Sequence, residues 1–181
     1  GLVLEPMATT LVNLVRSSTD ETIVMIDVNC RPKIVDDRDA YLSHVDAVLE
    51  RADIVKVSDD DLAYLAPGMG VLDAAHQLRA VGGAAVLVTA GASTTSIVTG
   101  GSVTEVPVAP LDSLVVDSIG AGDTFGGALV AWWMASGRCR PDVDAEGLQQ
   151  AVLAAHEAAA VVVTRRGADP PRRAELPDNW V

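Results

Sequence analysis

Short apolar runs alternate along this chain with longer segments of helical spacing, and that alternation restricts the fold more than any other feature. Residues 22–26, 53–57 and 85–89 read as buried strands, and the stretches between them repeat their apolar residues at helical intervals. Helices are predicted from Pro6 to about Arg16, over 38–52, briefly from Asp59, and over 71–81; Pro6 suits a first helical turn. Strands that alternate with helices argue for an α/β sandwich around a largely parallel sheet. Residues 96–99 and 102–106 flank Gly100-Gly101 as a hairpin would, which adds a mixed sheet edge. An alanine-rich helix over 145–164 follows, then a polar tail over 165–181 with Pro170, Pro171 and Pro177. There is no internal repeat and no dividing linker, so 1–181 is read as one domain. A hydrophobic content of 49% and a mean hydropathy of +0.29 suit a sizeable core.

The segment most suggestive of chemistry is Asp117-Ser118-Ile119-Gly120-Ala121-Gly122-Asp123-Thr124-Phe125-Gly126. Leu114-Val115-Val116 before it reads as the end of a strand, and the residues from Gly126 to Trp133 read as a helix. Glycine allows unusual dihedrals and close backbone approach to a ligand. The first N–H groups of a helix lack intrahelical partners and carry the positive end of the macrodipole, so this turn is prepared for an anion such as phosphate. Asp123 repels such a guest unless it has a task. Acting as general base toward a substrate hydroxyl is one, and capping the helix is the other.

Two familiar glycine motifs do not fit. Gly120, Gly122 and Gly126 are spaced one residue too widely for G-x-G-x-x-G, and that turn would come late for a dinucleotide fold. A P-loop requires Gly-Lys-Ser/Thr, whereas the only lysines are Lys33 and Lys56.

Ligands of parallel α/β sheets collect beyond the carboxyl ends of the strands. Asp27, Asn29 and Arg31 follow the first strand and point the same way by alternation; Arg31 suits a phosphate or a sugar acid, or pairs with Asp27 to staple the loop. Lys56 and Ser58 precede three acids, Asp59, Asp60 and Asp61, that complement a helix dipole. Thr89 to Thr94 forms a turn before the hairpin or a loop around a ligand.

The run D-S-x-G-A-G-D-x-F resembles the C-terminal signature of the PfkB, or ribokinase-like, carbohydrate kinases, and other motifs follow in order. D-x-N-x-R at Asp27, Asn29 and Arg31 resembles the fructokinase and ketodeoxygluconate kinase branches. Ser58 and Asp61 stand where the family has N-x-x-E, and Thr89-x-Gly91 begins a T-x-G-x-x-G loop whose last glycine is Thr94. The resemblance implies a three-layer α/β/α ribokinase-like sandwich with a mostly parallel central sheet, with nothing in the chain corresponding to the N-terminal sugar-binding portion and β lid.

What it further implies is an ATP-dependent sugar kinase. Asp123 would be the general base, beside a backbone anion hole of Gly120, Ala121 and Gly122. Lys56, Ser58, Thr89, Gly91, Gly122 and His156 would bind nucleotide, and Asp27, Asn29, Arg31 and Asp123 the sugar. ATP and Mg2+ are the implied cofactors, with Asp61 holding magnesium through water. In some relatives an Asp like Asp117 and nearby carbonyls bind K+; here the set would be Asp117, Ile119, Val162 and Gly167, although Pro171 replaces a serine hydroxyl. A homodimer through the lid is a further family habit. The alternative is a non-catalytic nucleotide-binding or regulatory fragment, and the isolated chain is expected to bind nucleotide but phosphorylate sugars poorly.

A net charge of −12 argues against nucleic acid, whose binding rests on Lys and Arg. The arginines gathered after residue 137 read as a solvated face. No stretch approaches the ~20 apolar residues of a membrane helix, and no leader pattern opens the chain, so a cytoplasmic location is expected. Cys30 and Cys139 lack metal-ligand spacing and are read as reduced.

Overall fold

The computed structural model describes residues 1–108, 111, 113–140 and 143–181. Among them, five strands form one sheet in chain order. Strands β1 (Met25–Asp27), β2 (Ile54–Ser58) and β3 (Ala85–Thr89) run parallel. Strands β4 (Thr94–Val98) and β5 (Val103–Pro107) then double back antiparallel, as the predicted hairpin requires.

Strand alternation sends neighbouring residues to opposite faces, and two cores result. Val55 and Val57 of β2 and Val86 and Val88 of β3 pack with helices α2 (Arg38–Leu49), α3 (Asp59–Leu65) and α4 (Val71–Val81). Ile54, Ala85 and Leu87 meet α5 (Ala121–Ala135) and α6 (Ala145–Val162) on the other face. The result is the expected three-layer α/β/α sandwich. Helix α1 (Met7–Arg16) lies against α2.

Helices α5 and α6 pack on each other through Leu129, Trp133, Leu148, Ala151 and Ala155, all essentially inaccessible to water. Burying each leucine there contributes about 1.5–3 kcal/mol, while the alanines of α6 let the axes approach. Caps fix the helix starts: the Asp37 carboxylate accepts from Ala40 N–H, and Asp144 from Gly147 N–H at 2.7 Å.

Several boundaries differ from the sequence reading. The first strand begins at Met25 rather than Thr22, and α2 ends at Leu49. Leu114-Val115-Val116 is not a strand end: Leu114 is 88% exposed, and Val116 and Asp117 donate their N–H groups to the Val163 carbonyl beyond α6. Apolar composition alone cannot form a strand without a neighbouring edge to pair with. The helix after the glycine turn starts at Ala121, five residues before Gly126.

Candidate functional site

The carboxyl ends of β1, β2 and β3 and the start of α5 meet on one side of the sheet. Asp27 and Lys56 are register partners on adjacent parallel strands, so both side chains leave the same face. That face is the one α5 covers. The Lys56 ammonium donates to Asp27 Oδ2 at 2.8 Å, and its side chain is only 7% exposed. A Cβ built on Gly122 would lie 3.6 Å from Lys56 Nζ, and one on Gly126 4.0 Å from Asp27 Oδ2. The ion pair, with Lys56 buried and Asp27 partly exposed, therefore sits under the first two turns of α5.

That turn is unusual. Gly120 at its head has φ +80°, and a Cβ there would come within 2.7 Å of the Ala168 side chain, so only glycine fits. Gly120 takes the N-cap position and offers no side-chain cap. Ala121 N–H turns back to the Ser118 carbonyl at 3.2 Å, and Thr124 N–H bonds to Gly120 O at 2.8 Å. The N–H groups of Gly120, Gly122 and Asp123 have no acceptor among the described residues. Of the three amides expected to form an anion hole, that of Ala121 is thus spent internally, whereas those of Gly120 and Gly122 are unpaired among the described residues, as is that of Asp123. The Asp123 carboxylate is exposed and makes no hydrogen bond or ion pair among the described residues, so it caps nothing.

The other anticipated residues divide between positioning and core. Ser58 caps α3 by accepting from Asp61 N–H at 3.0 Å, and Asp61 accepts from Ser58 N–H in return. The second Asp61 oxygen takes Cys30 N–H at 2.7 Å. With one N–H on each oxygen and 6% exposure, Asp61 clamps the β1 loop to the start of α3. Arg31 is exposed and donates to the Asn29 and Cys30 carbonyls of its own loop, while Asn29 takes φ +44°. The strand ends at Asp27 and Arg31 does not pair with it, so no Asp27–Arg31 staple forms, but Asp27, Asn29 and Arg31 all line one cleft beside β1.

Thr89 closes β3 with its hydroxyl on the Val57 carbonyl at 3.3 Å, and Gly91 sits at φ +55° in open space. His156 lies in the core: Nε2 is 2.9 Å from Thr95 Oγ1, the ring stands 5.5 Å from Phe125, and Nδ1 is buried without a partner. Burial holds its pKa below the ordinary histidine value.

Asp117 accepts from Ile119 N–H at 3.0 Å and Gly167 N–H at 2.9 Å, which lowers its pKa, and the Val162 carbonyl accepts from Arg165 N–H. Asp117, Ile119 and Gly167 meet in a hydrogen-bonded clasp between the approach to α5 and the turn after α6, whereas the Val162 carbonyl is engaged within that turn. No group of three or more metal-ligating side chains occurs among the described residues, and no helix is long and apolar enough to cross a membrane.

The tail holds what the sequence reading overlooked. Trp180 is buried and donates its indole N–H to the Ala154 carbonyl at 2.9 Å, anchoring the C-terminus on α6. Together with α5 it encloses a cleft of about 770 Å³ lined by Gly120, Asp123, Gly127, Ala131, Leu176 and Trp180 among others. A lone tryptophan in a proline-rich tail was the available signal.

Comparison with known proteins gives a consistent picture. The model of the pfkB family carbohydrate kinases matches residues 1–175. A fructokinase of Rhizobium leguminosarum bv. trifolii is 31% identical over 132 residues, 72% of this chain and 40% of that protein. Among solved structures, aminoimidazole riboside kinase from Salmonella enterica, complexed with aminoimidazole riboside and an ATP analog, superposes with a TM-score of 0.82 at 28% identity, covering 93% of this chain and 55% of the other. Fructokinase from Xylella fastidiosa with bound ATP gives 0.81 at 26%, covering 92% and 54%. The chain spans about half the length of the relatives it matches.

Proposed function

The chain belongs to the pfkB family of carbohydrate kinases, and from that premise we propose that it forms the phosphoryl-transfer half of an ATP-dependent sugar kinase, with Asp123 as general base. One observation carries the proposal: Asp123 lines a cleft, in the first turn of α5, with a carboxylate that bonds to nothing among the described residues. A capping aspartate would be engaged; this one is available for a proton.

The surroundings fit a phosphate. The N–H groups of Gly120, Gly122 and Asp123, unpaired among the described residues, lie at the positive end of a helix dipole, and the Lys56 ammonium lies beneath Gly122. ATP, when bound, supplies the phosphoryl group, and magnesium supplies charge neutralisation along its phosphates. Without a cluster of acidic ligands among the described residues, the ion would be held mainly by phosphate and water. Asp123 would orient the acceptor hydroxyl and take its proton as the hydroxyl oxygen bonds to the γ-phosphorus and the bond from that phosphorus to the bridging oxygen breaks, releasing ADP. The turn's N–H groups stabilise negative charge growing on the transferring oxygens. Thr89 and Gly91, at the end of β3, border the phosphates, and Ser58 and Asp61 keep the β2–α3 corner in place.

A second reading rests on length. The matched relatives are about twice as long, so this chain alone would bind nucleotide without phosphorylating a sugar. Titrating the protein with ATP, then following ADP release with magnesium and a panel of ketoses, aldoses and ribosides, separates the two. The kinase reading expects Asp123→Asn to lower turnover by about 10²–10⁴-fold with ATP affinity nearly unchanged. Undiminished turnover in that variant would remove Asp123 from the mechanism.

A further inference from the structure

The clasp beside the glycine turn leaves a monovalent cation little to bind. Such a cation is held by oxygen donors that replace its water shell. The family resemblance assigns that task to the Asp117 carboxylate, the carbonyls of Ile119, Val162 and Gly167, and a hydroxyl at position 171. Pro171 has no hydroxyl. The Val162 carbonyl accepts from Arg165 N–H at 3.0 Å, and the Gly167 carbonyl from Asp169 N–H at 3.0 Å. Each Asp117 oxygen already takes an amide, Oδ1 that of Ile119 at 3.0 Å and Oδ2 that of Gly167 at 2.9 Å. Of the set, only the Ile119 carbonyl has no donor among the described residues. A cation would therefore compete with two N–H dipoles for the carboxylate and with the backbone for two of its three carbonyls, so the residues present do not fit it.

We infer that in this chain the clasp takes the place of the cation: hydrogen bonds to and from Asp117 hold the turn after α6 against the start of α5, and the anion turn forms without K+. Asp117 is then a positioning residue for that turn. The inference rests on the kinase reading above only for the identity of the anion. Three hydrogen bonds cross between the two segments. Val116 and Asp117 donate to the Val163 carbonyl at 2.8 and 3.2 Å, and Gly167 donates to Asp117 Oδ2. Two charge-assisted amide bonds give the carboxylate the stabilisation that a counter-cation would otherwise supply. The clasp also reaches the site itself. Ala168 follows Gly167 directly, and its side chain would stand 2.7 Å from a Cβ on Gly120. Asp117 thus fixes, through Gly167, the residue packed against Gly120, the N-cap of α5 and the first unpaired amide of the turn.

The test compares KCl with tetramethylammonium chloride at equal ionic strength, which holds screening constant. On exchange of tetramethylammonium for K+, the backbone NMR signals of Ile119, Gly120 and Gly167 are expected to stay in place and the melting temperature to stay level. Thallium(I), a K+ mimic with its own NMR signal, should show no bound form, and ATP affinity should be the same in both salts. Asp117→Ala, which removes both acceptors, is expected to weaken ATP binding about tenfold, leave adenosine binding unchanged, and gain nothing from K+. Asp117→Asn, which keeps one acceptor, should fall between and keeps the test open if Asp117→Ala does not fold. K+ that shifts those amides, raises the melting temperature or tightens ATP binding would overturn the cation-free clasp. Folded Asp117 variants that bind ATP as the parent does would overturn the positioning role. ATP that moves no signal in either salt would overturn the kinase reading instead, and the clasp would then be judged by the K+ titration alone.

Discussion

Replacing Gly120 by alanine tests whether the turn is held by backbone conformation or only by its sequence context. Gly120 sits at φ +80°, where an L side chain costs about 1–2 kcal/mol. The new Cβ would lie 2.7 Å from Ala168 Cβ and 3.0 Å from Ala168 Cα. The second of these atoms is backbone, so the strain cannot be relieved by a rotamer change, and overpacking of this kind costs about 1–3 kcal/mol. Together the variant should lose about 2–5 kcal/mol. The assay is urea unfolding followed by tryptophan fluorescence, because Trp132, Trp133 and Trp180 are all buried around α5 and α6. Gly122→Ala two residues on is the internal control. Its Cβ meets only Lys56 Nζ at 3.6 Å, inside a helix where alanine is the better former by roughly 1 kcal/mol. Gly120→Ala should therefore shift the midpoint strongly downward while Gly122→Ala leaves it level or higher. Equal midpoints for the two variants would refute the claim that conformation and the Ala168 contact define this turn.

Two further expectations concern residues whose side chains the fold itself engages. Asp61→Ala strips the acceptors from Cys30 N–H and Ser58 N–H, both drawn to its carboxylate within 2.9 Å. Loss of about 2–5 kcal/mol in chemical denaturation should follow, with Asp61→Asn intermediate; an unaltered stability would show that the clamp is dispensable. His156 is neutral in the fold, with a pKa lowered by burial. The unfolded chain protonates it near the ordinary value of about 6.5, so its contribution is complete above that pH and declines as pH falls below it. His156→Gln, which cannot titrate, should lose part of the stability difference between pH 7.5 and pH 5; identical pH profiles for variant and parent would exclude the buried imidazole as the source.

The turn shows how much of the site was legible in order along the chain. Asp117 to Gly126 announced a helix start bare of side chains, and the anion site follows from backbone physics that any such turn obeys. Whether Asp123 caps or reacts was open, because a carboxylate at that spacing suits either role. His156 and Asp61 were read as ligand-facing because motif position says where a residue falls in sequence, not which way its side chain points. Packing against Phe125 and Thr95 turned the first inward, and two backbone amides claimed the second.

Alternating apolar runs and helical periods were enough to specify a layered α/β sheet, its antiparallel edge hairpin and the glycine turn, since each depends on local spacing and backbone freedom. Only the tertiary structure could decide that Asp27 pairs with Lys56, that Asp123 stays unengaged, and that Trp180 anchors the tail on α6 to line the cleft beside the turn. Those outcomes depend on strand register and on which helix covers which face. Both are settled by contacts between residues 26 or more positions apart, and no local pattern carries that information.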